Sequence, residues 1–294
     1  MLHRRIFLVA ALLLAAAPAI AQEKLPVLAT FSILGDFVKN VGGDWVALTT
    51  LVGPNGDAHV YAPSPADARK LAEARLVIVN GLRYEGWIDR LVKASGTKAV
   101  LAVASKGVKA RETKDAQDHA LDPHAWQSVA NAKTYVANIR DALTTADPAG
   151  KDIYARNAAE YLKKLDALEA EVKAAVAAIP ATRRKIIATH DAFGYFRLAY
   201  GIEFITPQGV STDAEASARD VARIIRQIKA QKIPAVFLEN VSDPRLIKRI
   251  ADETGARIGG TLFSDALSDD KGPAPTYIDM MRHNVKQLAA ALTS

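Results

Sequence analysis

The sequence predicts an α/β protein: two parallel-sheet α/β lobes joined by one long rigid α-helix. Three observations carry that expectation. The chain repeats a plan, because PVLATFSILGDFVKNVGGDWVALTTLV from Pro26 lays over KIIATHDAFGYFRLAYGIEFITPQGV from Lys185. Each copy is a short β run, Ala-Thr, an aromatic-bearing turn and helix, a glycine and a second β run. Further on, SPADARKLAEARLVIVNG from Ser64 parallels SARDVARIIRQIKAQKIPAVFLEN from Ser217, each a capped helix feeding a buried strand. Strands that alternate with helices in both halves mark parallel sheets. The third observation is the stretch between the halves, residues 147–180, which reads as a single amphipathic helix.

Taken in order, the chain opens with MLHRRIFLVAALLLAAAPAIAQ, where His3, Arg4 and Arg5 precede an apolar run and a small-x-small site. That is the pattern of a cleavable secretory signal cut between Ala21 and Gln22. The run is shorter than the ~20 apolar residues of a membrane span. There is no cysteine, which removes disulfides, thiolate ligands, cysteine nucleophiles and a lipidated N-terminal cysteine together. The formal net charge is +6, of which Arg4 and Arg5 supply two. The other basic residues interleave with acids along helices, so nucleic acid is not an expected partner.

VALTTLV (residues 46–52) is β-branched and strand-like, and Gly53, Pro54, Asn55 and Gly56 supply loop chemistry after it. Ser64, with Pro65 at the first helical position and Asp67 three residues on, starts a helix. His59 therefore sits on a loop leaving a strand end, the place where open α/β sheets gather ligands. A solvated loop histidine would occupy the same place. In the central stretch Asp147 is read as the cap, Pro148 as the first helical residue and Pro180 as the stop. Tyr154, Ala158, Tyr161, Leu165, Leu168 and Val172 recur at spacings of four and three and form one apolar stripe. At ~1.5 Å per residue this helix runs about 46 Å, enough to pass along two lobes side by side and too stiff for a wide hinge. The expected organisation is a leader at 1–21, an N-terminal lobe at 22–146, the linking helix at 147–180 and a C-terminal lobe at 181–294.

The chain has six histidines. His3 leaves with the leader. His283, in the final amphipathic helix, suits helix packing, and His119, in a polar loop, is at most an entry residue. His124 follows Asp122 and Pro123, which fix a turn, and precedes Trp126, which can wall off water. His190 follows the buried strand KIIAT at the position where the first half of the repeat carries Phe31. Packing there does not require a ring nitrogen. Asp265 is the first carboxylate beyond the β run ending at Leu262, although such a residue can also be a helix cap, and Asp269 and Asp270 compete with it. Two ligands from each lobe would close on one ion between the lobes. Three imidazoles and a carboxylate make a four-coordinate site for a divalent transition ion, whereas calcium or magnesium asks for more oxygens.

At these residues the chain resembles the metal-binding solute-binding proteins of bacterial ABC importers, the zinc and manganese group often called TroA-like or ZnuA-like. The resemblance covers essentially the whole mature chain and rests on GDAHVYAPSPAD, the DPHAW turn, the long helix with Tyr161 and Leu165, ATHDAFGYF, VFLENVSDPRL and LFSDALSDDKGPAPTYIDMMRHN. It implies two lobes on a rigid helix with metal between them, ligands at His59, His124, His190 and Asp265, a periplasmic monomer, and delivery of the ion to a membrane permease. A periplasmic metallochaperone is a further implied partner. His190 stands where manganese and iron members often place glutamate, which favours zinc by ligand softness. The short loop before His124 and the SDALSDDKGPAPTYIDMM ending look like the manganese and iron members, so zinc leads and manganese or iron is the alternative.

The rival of another class is a zinc hydrolase. It needs an open coordination position and usually a compact motif such as H-E-x-x-H, which does not occur here. No enzyme activity is therefore expected, and Glu239 would serve as a base only if one ligand were misassigned. The movable parts are expected to be loops: the segment around His119 and residues 268–275.

Overall fold

The computed structural model describes residues 23–113 and 121–293; the leader and His119 lie outside them. The first lobe runs β1 (Leu25–Phe31), α1 (Ser32–Gly42), β2 (Val46–Val52), α2 (Pro65–Glu73), β3 (Leu76–Val79), α3 (Ile88–Ser95) and β4 (Val100–Val103). Then come α4 (Val129–Ala146) and the long α5 (Lys151–Ala177). The second lobe runs β5 (Lys185–Ile187), α6 (Gly194–Tyr200), β6 (Glu203–Ile205), α7 (Ala218–Gln231), β7 (Ala235–Glu239), α8 (Pro244–Thr254), β8 (Arg257–Leu262) and α9 (Tyr277–Thr293). Both sheets are parallel, ordered β2-β1-β3-β4 and β6-β5-β7-β8. The same order in both halves is the repeat seen in the sequence. Parallel strands bring all their carboxyl ends to one edge, and loops from both sheets meet there.

Local chemistry explains the elements. β3 is LVIV and buried throughout, as a central strand covered on both faces must be. The Ser64 hydroxyl accepts from the Asp67 N–H and the Asp67 carboxylate from the Ser64 N–H, so α2 starts on a complete capping box. In β8 the register slips by one residue opposite Val236 and Leu238. Gly260 takes φ +127° there, a value that favours glycine, and the bulge re-aims the chain that leaves toward Asp265.

The stripe predicted for the long helix is buried in full: Tyr154, Ala158, Tyr161, Leu165, Leu168 and Val172 all face inward, joined by Val176. Burial of each leucine contributes about 1.5–3 kcal/mol. α5 lies against α1 and α4 of the first lobe and against α6 and α9 of the second. It is shorter than expected, 27 residues or about 40 Å. Residues 148–150 form a separate 3₁₀ turn, and the helix is left before Pro180, which disfavours helical backbone ahead of itself. Asp147 does not cap α5. It closes α4, and its carboxylate accepts a hydrogen bond from the Tyr154 hydroxyl instead.

The lobes share a core. One apolar cluster runs from β1, β3 and α1 through α4, α5 and α9 to the inner face of the second sheet at Ala188, Phe237 and Leu262. A separate cluster of Ile187, Val221, Ile224, Val236, Ile247 and Ile250 lies under α7 and α8. Hydrogen bonds cross between the lobes: Trp126 Nε1 to the Ser264 carbonyl (2.9 Å), Val129 N to the Tyr200 hydroxyl (3.0 Å) and Leu267 N to Ser32 Oγ (2.9 Å). Wide opening would expose that apolar surface and orphan these groups, so the frame resists it.

Candidate metal centre

His59 lies on the loop after β2, His124 just before α4, His190 three residues beyond β5 and Asp265 three residues beyond β8. One donor atom from each falls within 4.8 Å of the others, and this is the one such group among the described residues. His190 Nε2 is 3.1 Å from Asp265 Oδ2, and His59 Nε2 is 3.4 Å from the same oxygen. His124 Nε2 is 3.4 Å from Asp265 Oδ1 and 3.2 Å from His59 Nε2. An ion held tetrahedrally at 2.0–2.1 Å separates its ligands by about 3.3–3.4 Å, and these four donor contacts lie near that spacing. His124, His190 and Asp265 are fully buried, and the His59 side chain is 5% exposed. Both Asp265 oxygens and His190 Nε2 lack a directed hydrogen bond, an arrangement that a cation would satisfy. The competitors Asp269 and Asp270 are exposed at the tip of the following turn.

Each of the three histidines is supported from behind. The Asp57 carboxylate accepts the His59 N–H (2.9 Å), and the Asp122 carboxylate accepts the His124 N–H (2.9 Å). Asp122 Oδ1 also takes the Nδ1–H of His124 at 2.8 Å, which leaves Nε2 facing the centre. Glu239 accepts the N–H groups of Thr189 (2.6 Å) and His190 (3.0 Å), and its second oxygen lies 2.6 Å from His190 Nδ1. Tyr84 packs edge-to-face on His59 and Trp126 on His124, with Phe31 behind both, and this aromatic wall keeps water out.

Electrostatics divide the histidines. Burial lowers the His59 pKa below its ordinary value and outweighs the pull of Asp265. Burial also acts to lower His124, but Asp265 and Asp122 outweigh it and push that imidazole up to about 9. His190 is held well above its usual range because Glu239 and Asp265 overcome its burial. Burial acts to raise Asp265, but the imidazoles of His190 and His124 overcome it and hold that carboxyl well below the usual carboxylate range.

The profile of the family described as "ZnuA: Zinc-uptake complex component A periplasmic" matches residues 27–291. The chain belongs to the ZnuA family. It is 33% identical over 273 residues to the iron-binding protein YfeA of Yersinia pestis, covering 92% of this chain and 88% of that one. It is 34% identical over 271 residues to the manganese-binding lipoprotein MntA of Halalkalibacterium halodurans, covering 92% and 89%. The solved structure of the periplasmic zinc-binding protein TroA from Treponema pallidum superposes with a TM-score of 0.87 at 32% identity, covering 92% of this chain and 99% of that one. A family with members named for three metals leaves the choice of ion to the residues of each site.

Sequence reasoning missed several supports of the centre. From sequence Asp122 reads only as a turn residue and Glu239 only as a rival base, and neither Asp57 nor Tyr84 stands out. One signal was available: Asp-x-His occurs twice, as Asp57-Ala-His59 and Asp122-Pro-His124, the spacing of an Asx turn that pins a histidine. The segment 268–275, expected to be movable, is anchored at its ends. Ser268 and Ala274 are buried and bonded to each other, and Tyr277 N–H donates to the buried Asp36 at 3.0 Å. His283 packs as expected, its Nε2 2.9 Å from the Thr261 carbonyl.

Proposed function

We propose that this chain is a periplasmic solute-binding protein that captures one divalent transition ion and delivers it to an ABC transporter permease. Zinc is the favoured cargo, and manganese or iron is the alternative. The observation that supports this most is the donor set: His59, His124, His190 and Asp265 as ligands, with donor atoms within 4.8 Å of one another and three nitrogens to one carboxylate. Relatives named as zinc-, manganese- and iron-binding proteins support the class of cargo. The cleavable leader at residues 1–21 supports export, the permease is the partner that passes the ion inward, and a metallochaperone that loads the site is a further partner of this reading. We take the receptor to act as a monomer.

A hydrolase fits the site less well. Four protein ligands leave a tetrahedral ion no position at which to activate water. Glu239, the base that such an enzyme would need, is engaged with His190 and two backbone N–H groups.

Elemental analysis of protein purified without added metal tests the proposal. About one zinc per chain is expected; a predominance of manganese or iron would select the alternative, and absence of any transition ion would reject the site. Glu239→Gln keeps the shape but loses the charge that orients His190. Zinc affinity is expected to fall about 10–100-fold in that variant, measured by competition with a chromophoric chelator.

A further inference from the structure

The two Asp-x-His turns are each tied to the opposite lobe. Asp57 accepts from the Thr212 hydroxyl at 2.6 Å. Asp122 is reached through Arg111, whose Nη1 donates to Asp122 Oδ2 at 2.7 Å and whose Nη2 donates to Asp191 Oδ2 of the second lobe at 3.0 Å. Asp191 is the neighbour of His190, and Asp122 holds His124. The Arg111 backbone N–H also donates to the Tyr195 hydroxyl at 2.8 Å. Gly194 makes room for the guanidinium, because a Cβ there would stand 2.2 Å from Nη1 and 2.3 Å from Cζ. The side chain is only 20% exposed. A planar guanidinium can bridge two carboxylates with separate N–H groups in fixed directions, which a lysine ammonium cannot reproduce.

We propose that Arg111 is a positioning residue that sets the separation of His124 and His190 across the lobe interface, and so tunes the site toward the short bonds of a four-coordinate ion. This inference rests on the reading of the four-ligand site. With the fork in place, the turns that carry His124 and His190, whose ring centroids stand 5.3 Å apart, are held together before the ion arrives. Without it, each lobe orients its own histidine but the direct tie between the Asp122 and Asp191 turns is lost, and the site relaxes toward longer bonds and added water. Zinc, which depends on compact tetrahedral geometry, loses more than manganese, which accepts more oxygen ligands.

The test compares Arg111→Lys, which keeps the charge, with Gly194→Ala, which displaces the guanidinium without altering any charged group, and with Asp191→Asn, which removes one end of the bridge. Zinc release into excess chelator is expected to speed up about ten-fold or more in each variant that folds with the melting curve of the parent. The ratio of zinc to manganese affinity should fall, and the visible bands of the cobalt-loaded protein should lose the intensity of a tetrahedral site. A residue that merely supported the fold would leave that ratio and those bands unchanged. Folded variants with the parent's release rate, affinity ratio and cobalt spectrum would overturn the inference. A parent protein that binds no transition ion would instead overturn the reading of the site itself.

Discussion

Replacing His190 with alanine is expected to weaken binding of the transition ion by about 10²-fold or more. Zinc binding to a four-ligand protein site is worth roughly 10–16 kcal/mol, or about 3 kcal/mol for each ligand, and 1.4 kcal/mol is a factor of ten. His190 is a sharp place for this test because its two ring nitrogens meet Asp265 and Glu239. It is fully buried, its Nε2 points at Asp265, and its Nδ1 is held by Glu239. The substitution removes no member of the apolar clusters, and Glu239 keeps the Thr189 and residue-190 N–H groups. The metal-free variant should therefore fold. His283→Ala, whose ring meets Phe263 and the Thr261 carbonyl, serves as the control and should leave affinity unchanged. Equal titration curves for His190→Ala and the parent, measured by calorimetry or chelator competition, would place the ion elsewhere.

The second large effect is that of pH. The sequence alone suggests that affinity falls as pH drops through the ordinary imidazole range near 6.5. The structure moves that range upward. His124 titrates at about 9 and His190 well above its usual value, so both carry protons in the metal-free protein at pH 7, while His59 is neutral and Asp265 ionised. Protonated imidazole cannot bind metal, so the ion must displace two protons at neutral pH. The sign follows: affinity rises with pH by about 100-fold per unit around pH 7, and the slope lessens above about 9 as His124 loses its proton unaided. Calorimetry in buffers of different ionisation enthalpy reads the proton count directly. Release of no proton at pH 7, with affinity flat from 7 to 9, would contradict the charge state drawn for the centre. The same linkage makes mild acidification a route to cargo release.

The fold class was legible because its signals are local. Capping at Ser64 and Ser217, the four-and-three stripe from Tyr154 to Val172 and the apolar run of β3 each depend on residues a few positions apart, which backbone geometry links directly. The repeat carried the strand order as well, since similar segments build similar units. The candidate ligands could be named because few histidines stand at strand ends and because the surrounding motifs resemble a family.

Only the tertiary structure decided what depends on partners far apart in the chain. The bond of Asp57 to Thr212, the bridge of Arg111 to Asp191 and the support of His190 by Glu239 join residues 155, 80 and 49 positions apart, and no local periodicity encodes them. The bonding of Ser268 to Ala274 escaped the sequence because glycine and proline mark a turn without saying what its ends touch. The raised pKa values of His124 and His190 escaped it because they measure burial against charge, and both quantities exist only after the lobes have packed. Composition and spacing thus identified which side chains can hold an ion. Packing across the interface decided how far apart they stand and how tightly they keep their protons.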